Sequence, residues 1–281
     1  MAQWRAGLMT AIEAGLAPGS GRRAVWLRWP ARLGLRRLAM PILLLAIWEI
    51  AGRAGWLSAV ALPQPSTILD AGGALVRDGA LQAGLEISLF RLLVGFPLGV
   101  VAGIALGIAV GLSARAEDLF DGTLQSLRAI PFLALAPMFS LWFGADEASK
   151  IALVCFGAVF PAYLNTVAGI RGVDGRLAEA ARAFGVHGFG IVTEVVMPGA
   201  MPSILVGLRL SFSWALAALV SSELAGVGTG LGALVAQARE FAQTEIVILC
   251  VVIYALVGFT ADGLARVAEW RLLSWRRSFP D

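Results

Sequence analysis

Arg91 lies in the apolar run SLFRLLVGF with no obvious partner of opposite charge nearby in the sequence. A guanidinium in such surroundings has five N–H donors suited to the oxygens of a sulfonate or carboxylate, so the side chain is a candidate for binding a small anion, or for holding two helices together. Glu223, preceded by Ser221 and Ser222, closes a later apolar run and is a candidate for an external gate. Ser140, Asn165 and Ser211, with Ser213, either hydrogen-bond between helices or line a polar path. Covalent chemistry has little to draw on. His187 is the only histidine, and no nucleophile–base–acid set can be built around it, so it reads as a surface residue. Cys155 and Cys250 both fall in apolar runs, which argues against a disulfide framework or a metal site. The stretch AGVGTGLG at 225–232 has the glycines of a phosphate loop but lacks the lysine that would reach a phosphate, and reads as a flexible connection.

The elements that must position these groups are set by composition. The chain has 281 residues, 58% hydrophobic and 15% charged, with a mean hydropathy of +0.80. That places it among helical membrane proteins. The net charge of +3 does not mark a nucleic-acid binder, because the basic residues flank apolar runs instead of forming a patch. Six spans are predicted, near 38–56, 85–112, 123–143, 150–170, 201–224 and 244–264. With the N-terminus inside, the segments 1–37, around Arg115, 171–200 and 265–281 carry fifteen arginines, against four basic residues on the other side (Arg53, Arg77, Lys150 and Arg239). Both termini and 171–200 are therefore expected in the cytoplasm. Residues 1–37 form an Arg-rich extension in which Glu13 interrupts the best apolar stretch, so no cleaved signal peptide is expected; a disordered arm near anionic lipid is. LPQPS at 62–66 predicts a turn opening a short external amphipathic helix. Gly95, Gly99, Gly103 and Gly107 recur every four residues and predict a close helix–helix contact. Glu49–Arg53 and Asp262–Arg266 are i,i+4 pairs, while Arg128 and Arg209 are expected to snorkel from helix ends. Trp26, Trp29, Trp56, Trp270 and Trp275 suggest an interfacial belt.

The segment 171–200 is more patterned than a connection between spans requires. Asp174 can cap a helix and Gly185 can end it in the left-handed region. Leu177, Ala180, Ala181 and Phe184 make one shallow apolar face, with Arg176, Glu179 and Arg182 off it. A second short helix, near 190–197, should run to Pro198, where Pro198 and Pro202 separate it from the next span. The residues alone allow two uses for such a helix–turn–helix: lying on lipid, or docking into a groove of a soluble protein, which small residues suit.

Glu179-Ala180-Ala181, three residues, Gly185, nine residues, Val195, Met197 and Pro198 resemble the EAA motif of the membrane subunits of bacterial ABC importers. The segments LPQPS, SLFRLLVGF, LRAIPFLALAP, LWFGADEASKI, FPAYLNTVAGIR, GLRLSF and AREFAQTEIVI extend the resemblance over nearly all of the chain beyond residue 40. They look most like the subgroup carrying aliphatic sulfonates, taurine and nitrate. Met197 departs from the usual leucine, and the N-terminal extension has no place in the motif. The resemblance implies an all-α, six-helix type I importer fold over 38–281, in the bacterial inner membrane, working as a homodimer among membrane lipid. It implies no enzyme activity in this chain and no cofactor of its own, because ATP and Mg would sit on a dimeric partner ATPase. A periplasmic binding protein would deliver the solute. Glu179, Ala180, Ala181, Phe184, Gly185, Val186, His187 and Pro198 would form the ATPase-coupling element; Arg91, Ser140, Asn165, Ser211 and Glu223 are the candidates for the translocation pathway. An aliphatic sulfonate is the expected solute, with taurine, nitrate or a pyrimidine-type precursor as alternatives. An ion-coupled secondary carrier is a competing class, but neither an inverted repeat nor a mid-membrane charge relay is present in the sequence. A membrane enzyme would need clustered His, Asp or Glu at one face.

Overall fold

The computed structural model describes residues 31–127, 129–225 and 228–273, and the regular elements among them are all helical. The first 30 residues, Arg128, Gly226, Val227 and residues 274–281 lie outside the description, and with them the expectations for Trp26, Trp29, Trp275 and the N-terminal arm. In chain order the helices are α1 (Ala31–Arg53), α2 (Pro65–Arg77), α3 (Ala80–Gly111), α4 (Ala114–Leu127), α5 (Phe132–Phe143), α6 (Glu147–Arg171), α7 (Gly175–Ala183), α8 (Phe189–Ile191), α9 (Met197–Ala225), α10 (Leu231–Glu240) and α11 (Thr244–Leu272). Among the described residues four helical stretches are long and apolar enough to cross a membrane: Ala80–Gly111, Glu147–Arg171, Phe189–Ala225 and Thr244–Leu272.

α6 is the centre of the bundle, packed between α3 and α9. Glycine makes this possible on both sides. A methyl on Gly95 would lie 2.8 Å from the Ile151 carbonyl oxygen, and one on Gly107 would lie 2.6 Å from Thr166 Cβ. At Gly99 and Gly103 it would overlap the carbonyls of Cys155 and Val159. The predicted ridge is therefore the α3–α6 seam, where backbones meet without intervening side chains. On the other flank Gly157 meets Trp214 and Ala218, and Gly207 meets Asn165 and Pro161. The core follows this stacking: Leu92, Val100, Val154, Ala158, Ala215 and Leu219 form one buried cluster. Cys155 and Cys250 are free thiols, the first half-buried and the second buried.

Two of the predicted spans differ from expectation. The stretch 123–143 is not one helix. α4 stops at Leu127, and α5 starts only after Pro131, whose backbone is extended (φ −62°, ψ 133°). The residue before a proline is driven out of the helical region, so the chain turns through Ala129–Pro131. α5 then has 12 residues, about 18 Å at 1.5 Å per residue, too short to cross alone. The stretch 38–56 falls on α1, whose helix carries charges towards both ends and so lacks an apolar run of spanning length.

The predicted amphipathic α2 is present, with Ile68 and Gly72 buried one turn apart. Glu49 starts it from outside the helix. Its carboxylate accepts from the Ser66 amide at 3.1 Å and from the Ser66 hydroxyl at 2.8 Å, while also holding Arg53 at 2.6 Å. That satisfies an N–H group the first turn would otherwise leave unpaired.

Candidate functional site

The segment 171–200 forms the expected first helix. Asp174 caps α7 by accepting from the Arg176 amide at 2.9 Å. At the other end Val186 N donates to the Ala181 carbonyl and Gly185 N to that of Arg182, both at 3.0 Å. Gly185 is left-handed at φ 88°. These are the bonds of a Schellman stop, in which a residue with a Cβ is strained. His187 closes the turn, its Nδ1 2.7 Å from the Gly185 carbonyl oxygen. Glu179, Ala180 and His187 are exposed, Ala181 and Val186 half-buried. Leu177 is 57% exposed and Phe184 89% exposed. The segment thus presents an uncovered apolar edge beside a rigid turn.

The second helix of this segment is not separated from the span after it. Phe189–Ile191 is α-helical, Val192–Val196 is a π-turn, and α9 continues directly to Ala225. Met197 N donates to the Val192 carbonyl, five residues back. Pro198 follows directly on this wider turn, in the first turn of α9, and the helix runs through it unbroken. Pro198 is half-buried on the α9 side of this turn. At the same end of the molecule Arg171 holds Glu117 by an ion pair and a hydrogen bond, tying the end of α6 to the start of α4. The guanidinium holds the Glu117 carboxyl below the usual carboxylate range.

At the opposite end of the bundle the structure brings together groups distant in sequence. Arg91 is fully buried and all of its donors are used. Nε and Nη2 make a two-pronged contact with Glu147 at 2.6 and 2.7 Å. Nη1 reaches Glu223 at 2.6 Å and the Thr229 carbonyl at 2.7 Å. Nη2 also reaches the Thr229 hydroxyl at 3.1 Å. Five bonds match the five N–H groups of a guanidinium. Glu223 is equally occupied: it accepts from Arg91 and Ser88 on one oxygen, and from Gly232 N and Tyr254 on the other, the last two at 2.8 Å. Ser88 in turn accepts from Leu231 N at 2.9 Å. The cluster joins α3, α6, α9 and α11 to the connection before α10.

This arrangement matches one of the two roles expected of Arg91, holding helices together, and corrects the expectation for 225–232. Arg91 does have ion-pair partners, but they come from other helices, and in this conformation it has no donor left for a passing anion. The described part of 225–232 is anchored at Thr229, Leu231 and Gly232 and is not a free connection. The other pathway candidates do not converge on the cluster. Asn165 donates to its own helix at the Pro161 carbonyl, 2.9 Å away. Ser211 is buried in α9, its hydroxyl without a hydrogen-bond partner among the described residues. Ser140 is half-buried on α5.

Sequence reasoning missed Glu147, Ser88, Thr229 and Tyr254. Glu147 and Glu223 lie 56 and 132 residues from Arg91, and no periodicity connects such positions. Of the expected pairs, Glu49–Arg53 and Asp262–Arg266 are both present, each at 2.6 Å. Arg209 does not simply snorkel: it joins Asp262 as well. Trp56 and Trp270 are well exposed, as an interfacial position requires.

Residues 95–274 match the family described as the binding-protein-dependent transport system inner membrane component. A Bacillus subtilis protein described as an aliphatic sulfonates transport permease is 42% identical over 275 residues, 97% of this chain and 99% of its own length. An Escherichia coli protein of the same description is 42% identical over 253 residues, 89% and 96% of the two chains. The Escherichia coli taurine transport system permease is 32% identical over 263 residues, 90% and 94% of the two chains.

Proposed function

This chain belongs to the binding-protein-dependent transport system inner membrane components, and from that premise we propose that it is the membrane subunit of an ATP-driven importer that carries a small anionic solute, best matched by an aliphatic sulfonate. It is a multi-pass membrane protein and, like its relatives, a transport permease subunit. In the proposal it crosses the inner membrane six times, α1 and the broken pair α4–α5 completing the four long helices, with both termini in the cytoplasm. Two copies enclose the path. A periplasmic binding protein delivers the solute and a separate ATPase pair, which holds ATP and Mg, drives the cycle. The sulfonate assignment rests on the two relatives at 42% identity; taurine follows from a more distant one.

The observation that carries the coupling role is the unit α7–Gly185–α9. An exposed edge of Leu177 and Phe184 stands on a glycine-set turn, and the chain leaving that turn runs without a break into a spanning helix. An edge of this kind suits a groove in a soluble protein, and a helix continuous with it moves as one body. Glu179, Ala180, Ala181, Phe184 and Gly185 would make the contact, with Val186, His187 and Pro198 holding its shape. The test is solute uptake by the chain reconstituted with its ATPase and binding protein. Gly185→Asp and Glu179→Leu should insert normally and lose both uptake and solute-stimulated ATP hydrolysis. Normal uptake by both variants, or accumulation in vesicles without nucleotide, refutes the role.

A further inference from the structure

A groove of about 330 Å³ runs between α3, α9 and α11, away from the α6 seam. Its walls include Leu93, Phe96, Leu208, Phe212, Gly258 and Leu264, and Phe96 and Phe212 meet edge to face. The charged residues that line it are Arg209 and Asp262. Asp262 also binds Arg266, one turn further along α11. Two guanidiniums therefore share one carboxylate, leaving one net positive charge on a groove whose lining continues past it to Ala265 and Ala268. Each arginine gives Asp262 one nitrogen, Nε from Arg209 and Nη2 from Arg266. A guanidinium carries five N–H donors, and the two side chains are 46% and 56% exposed.

The depth of this charge is informative. Asp262 lies 18 residues past Thr244, the first residue of α11, which is about 27 Å at 1.5 Å per residue. That is close to the ~30 Å thickness of a bilayer's hydrocarbon core. Arg209, counted back from the other end of α9, arrives at a similar level. Paired arginines at the membrane interface, above an apolar slot that runs towards the bilayer centre, match the anatomy of a phospholipid: a phosphodiester at the arginines and an acyl chain in the slot.

We propose that the α3–α9–α11 groove is a binding site for an anionic phospholipid, with Arg209 and Arg266 holding the phosphate and Leu93, Phe96 and Phe212 the acyl chain. A phosphate accepts from both guanidiniums at once, which is the strong form of this contact. The unpaired charge favours a headgroup that stays anionic, such as phosphatidylglycerol, over a zwitterionic one. The inference does not depend on which solute is carried.

The experiment uses the full-length protein in phosphatidylcholine nanodiscs containing phosphatidylglycerol with a photoreactive group in its acyl chain. Adducts should map to residues 93–96, 208–213 and 258–265, and unlabelled phosphatidylglycerol should compete while phosphatidylcholine does not. Removing both guanidiniums together with their carboxylate, as Arg209→Gln/Asp262→Asn/Arg266→Gln, leaves no unpaired charge and should lower labelling about tenfold, the loss of roughly one charge-assisted contact. Ala261→Trp should block the slot with the charges intact, and Arg239→Gln should change nothing. Labelling that ignores the headgroup overturns the proposal, as does competition by a soluble alkanesulfonate in place of the lipid. So does a disulfide between Gly258→Cys of one copy and Ile47→Cys of another, which would give the groove to the second copy.

Discussion

Removing the Arg91 side chain should be among the most damaging single changes in this protein, and the damage should depend on Glu223. Both side chains are fully buried and meet at 2.6 Å. Arg91→Met leaves the Glu223 carboxylate without its cation, and truncating one partner of a buried ion pair costs about 3–5 kcal/mol. Glu147 adds less, because it is 46% exposed and water can replace the arginine there. Glu223→Leu leaves Arg91 paired only with the half-exposed Glu147, and it also strips an acceptor from Ser88, Gly232 N and Tyr254, for a loss of similar size. If the two effects were independent, the double variant would lose about 6–10 kcal/mol. With both charges gone, the remaining cost is mainly that of three neutral donors without an acceptor, about 1 kcal/mol or more each. The double variant should therefore lie about 3 kcal/mol or more above the additive value. The assay is unfolding in mixed micelles with increasing dodecyl sulfate, read by far-ultraviolet circular dichroism for the wild type, both single variants and the double. Additivity within about 0.5 kcal/mol would refute the reasoning, since uncoupled sites behave that way.

Two further outcomes follow from the packing and the Arg171–Glu117 ion pair. Gly99→Ala places a methyl on the Cys155 carbonyl and 2.7 Å from Ala158 Cβ; because backbone cannot yield as a side chain can, it should destabilise by about 1–3 kcal/mol or more. Gly73→Ala, exposed in α2 with nothing within 4 Å, should instead stabilise by about 0.5–1 kcal/mol; the same micelle titration reads both, and equal effects would mean the α3–α6 seam is looser than described. Glu117 has its carboxyl held down by Arg171, so its contribution is fully present above the ordinary carboxylate range and is lost as pH falls through the depressed value. Glu117→Gln should flatten the acid side of the stability–pH curve, and an unchanged slope would show that the pair does not hold in solution.

The features legible from the sequence were those governed by local rules. The cap at Asp174, the left-handed Gly185 and the α7 face between them each depend on a few neighbouring residues, and they form as expected. The glycine ridge was readable as a ridge, because a four-residue period fixes a face, although nothing in the period named α6 as its partner. The α4–α5 break carried a signal that hydropathy outweighed: Pro131 after Ile130, within an apolar window. At Pro198 the helix-breaking rule for proline does not hold, because the stretch before it takes a π-turn. The ionic cluster could not have been found this way. Its members come from four helices and a connection, and each looks locally like an isolated charge or a hydroxyl in an apolar run.

The cluster also explains why a protein of this composition buries an arginine and a glutamate where leucines would pack more cheaply. The chain before α10 is exposed at Gly228 and Thr229 and becomes buried at Gly230, and backbone groups buried there need partners from the protein. Thr229 offers a carbonyl, and Leu231 and Gly232 offer N–H groups, none of which has an intrahelical partner. Arg91 takes the carbonyl, Ser88 takes the Leu231 amide and Glu223 takes the Gly232 amide. A carbonyl needs a donor and an amide needs an acceptor, and no single side chain supplies both roles with such reach. A cation and an anion together do so, and they neutralise each other in the same arrangement. Gly230 and Gly232 complete it, because a Cβ at either would run into Glu223. The buried charges are thus the means by which a non-helical connection is held against four helices, and the connection's glycines are what let those charges approach the backbone.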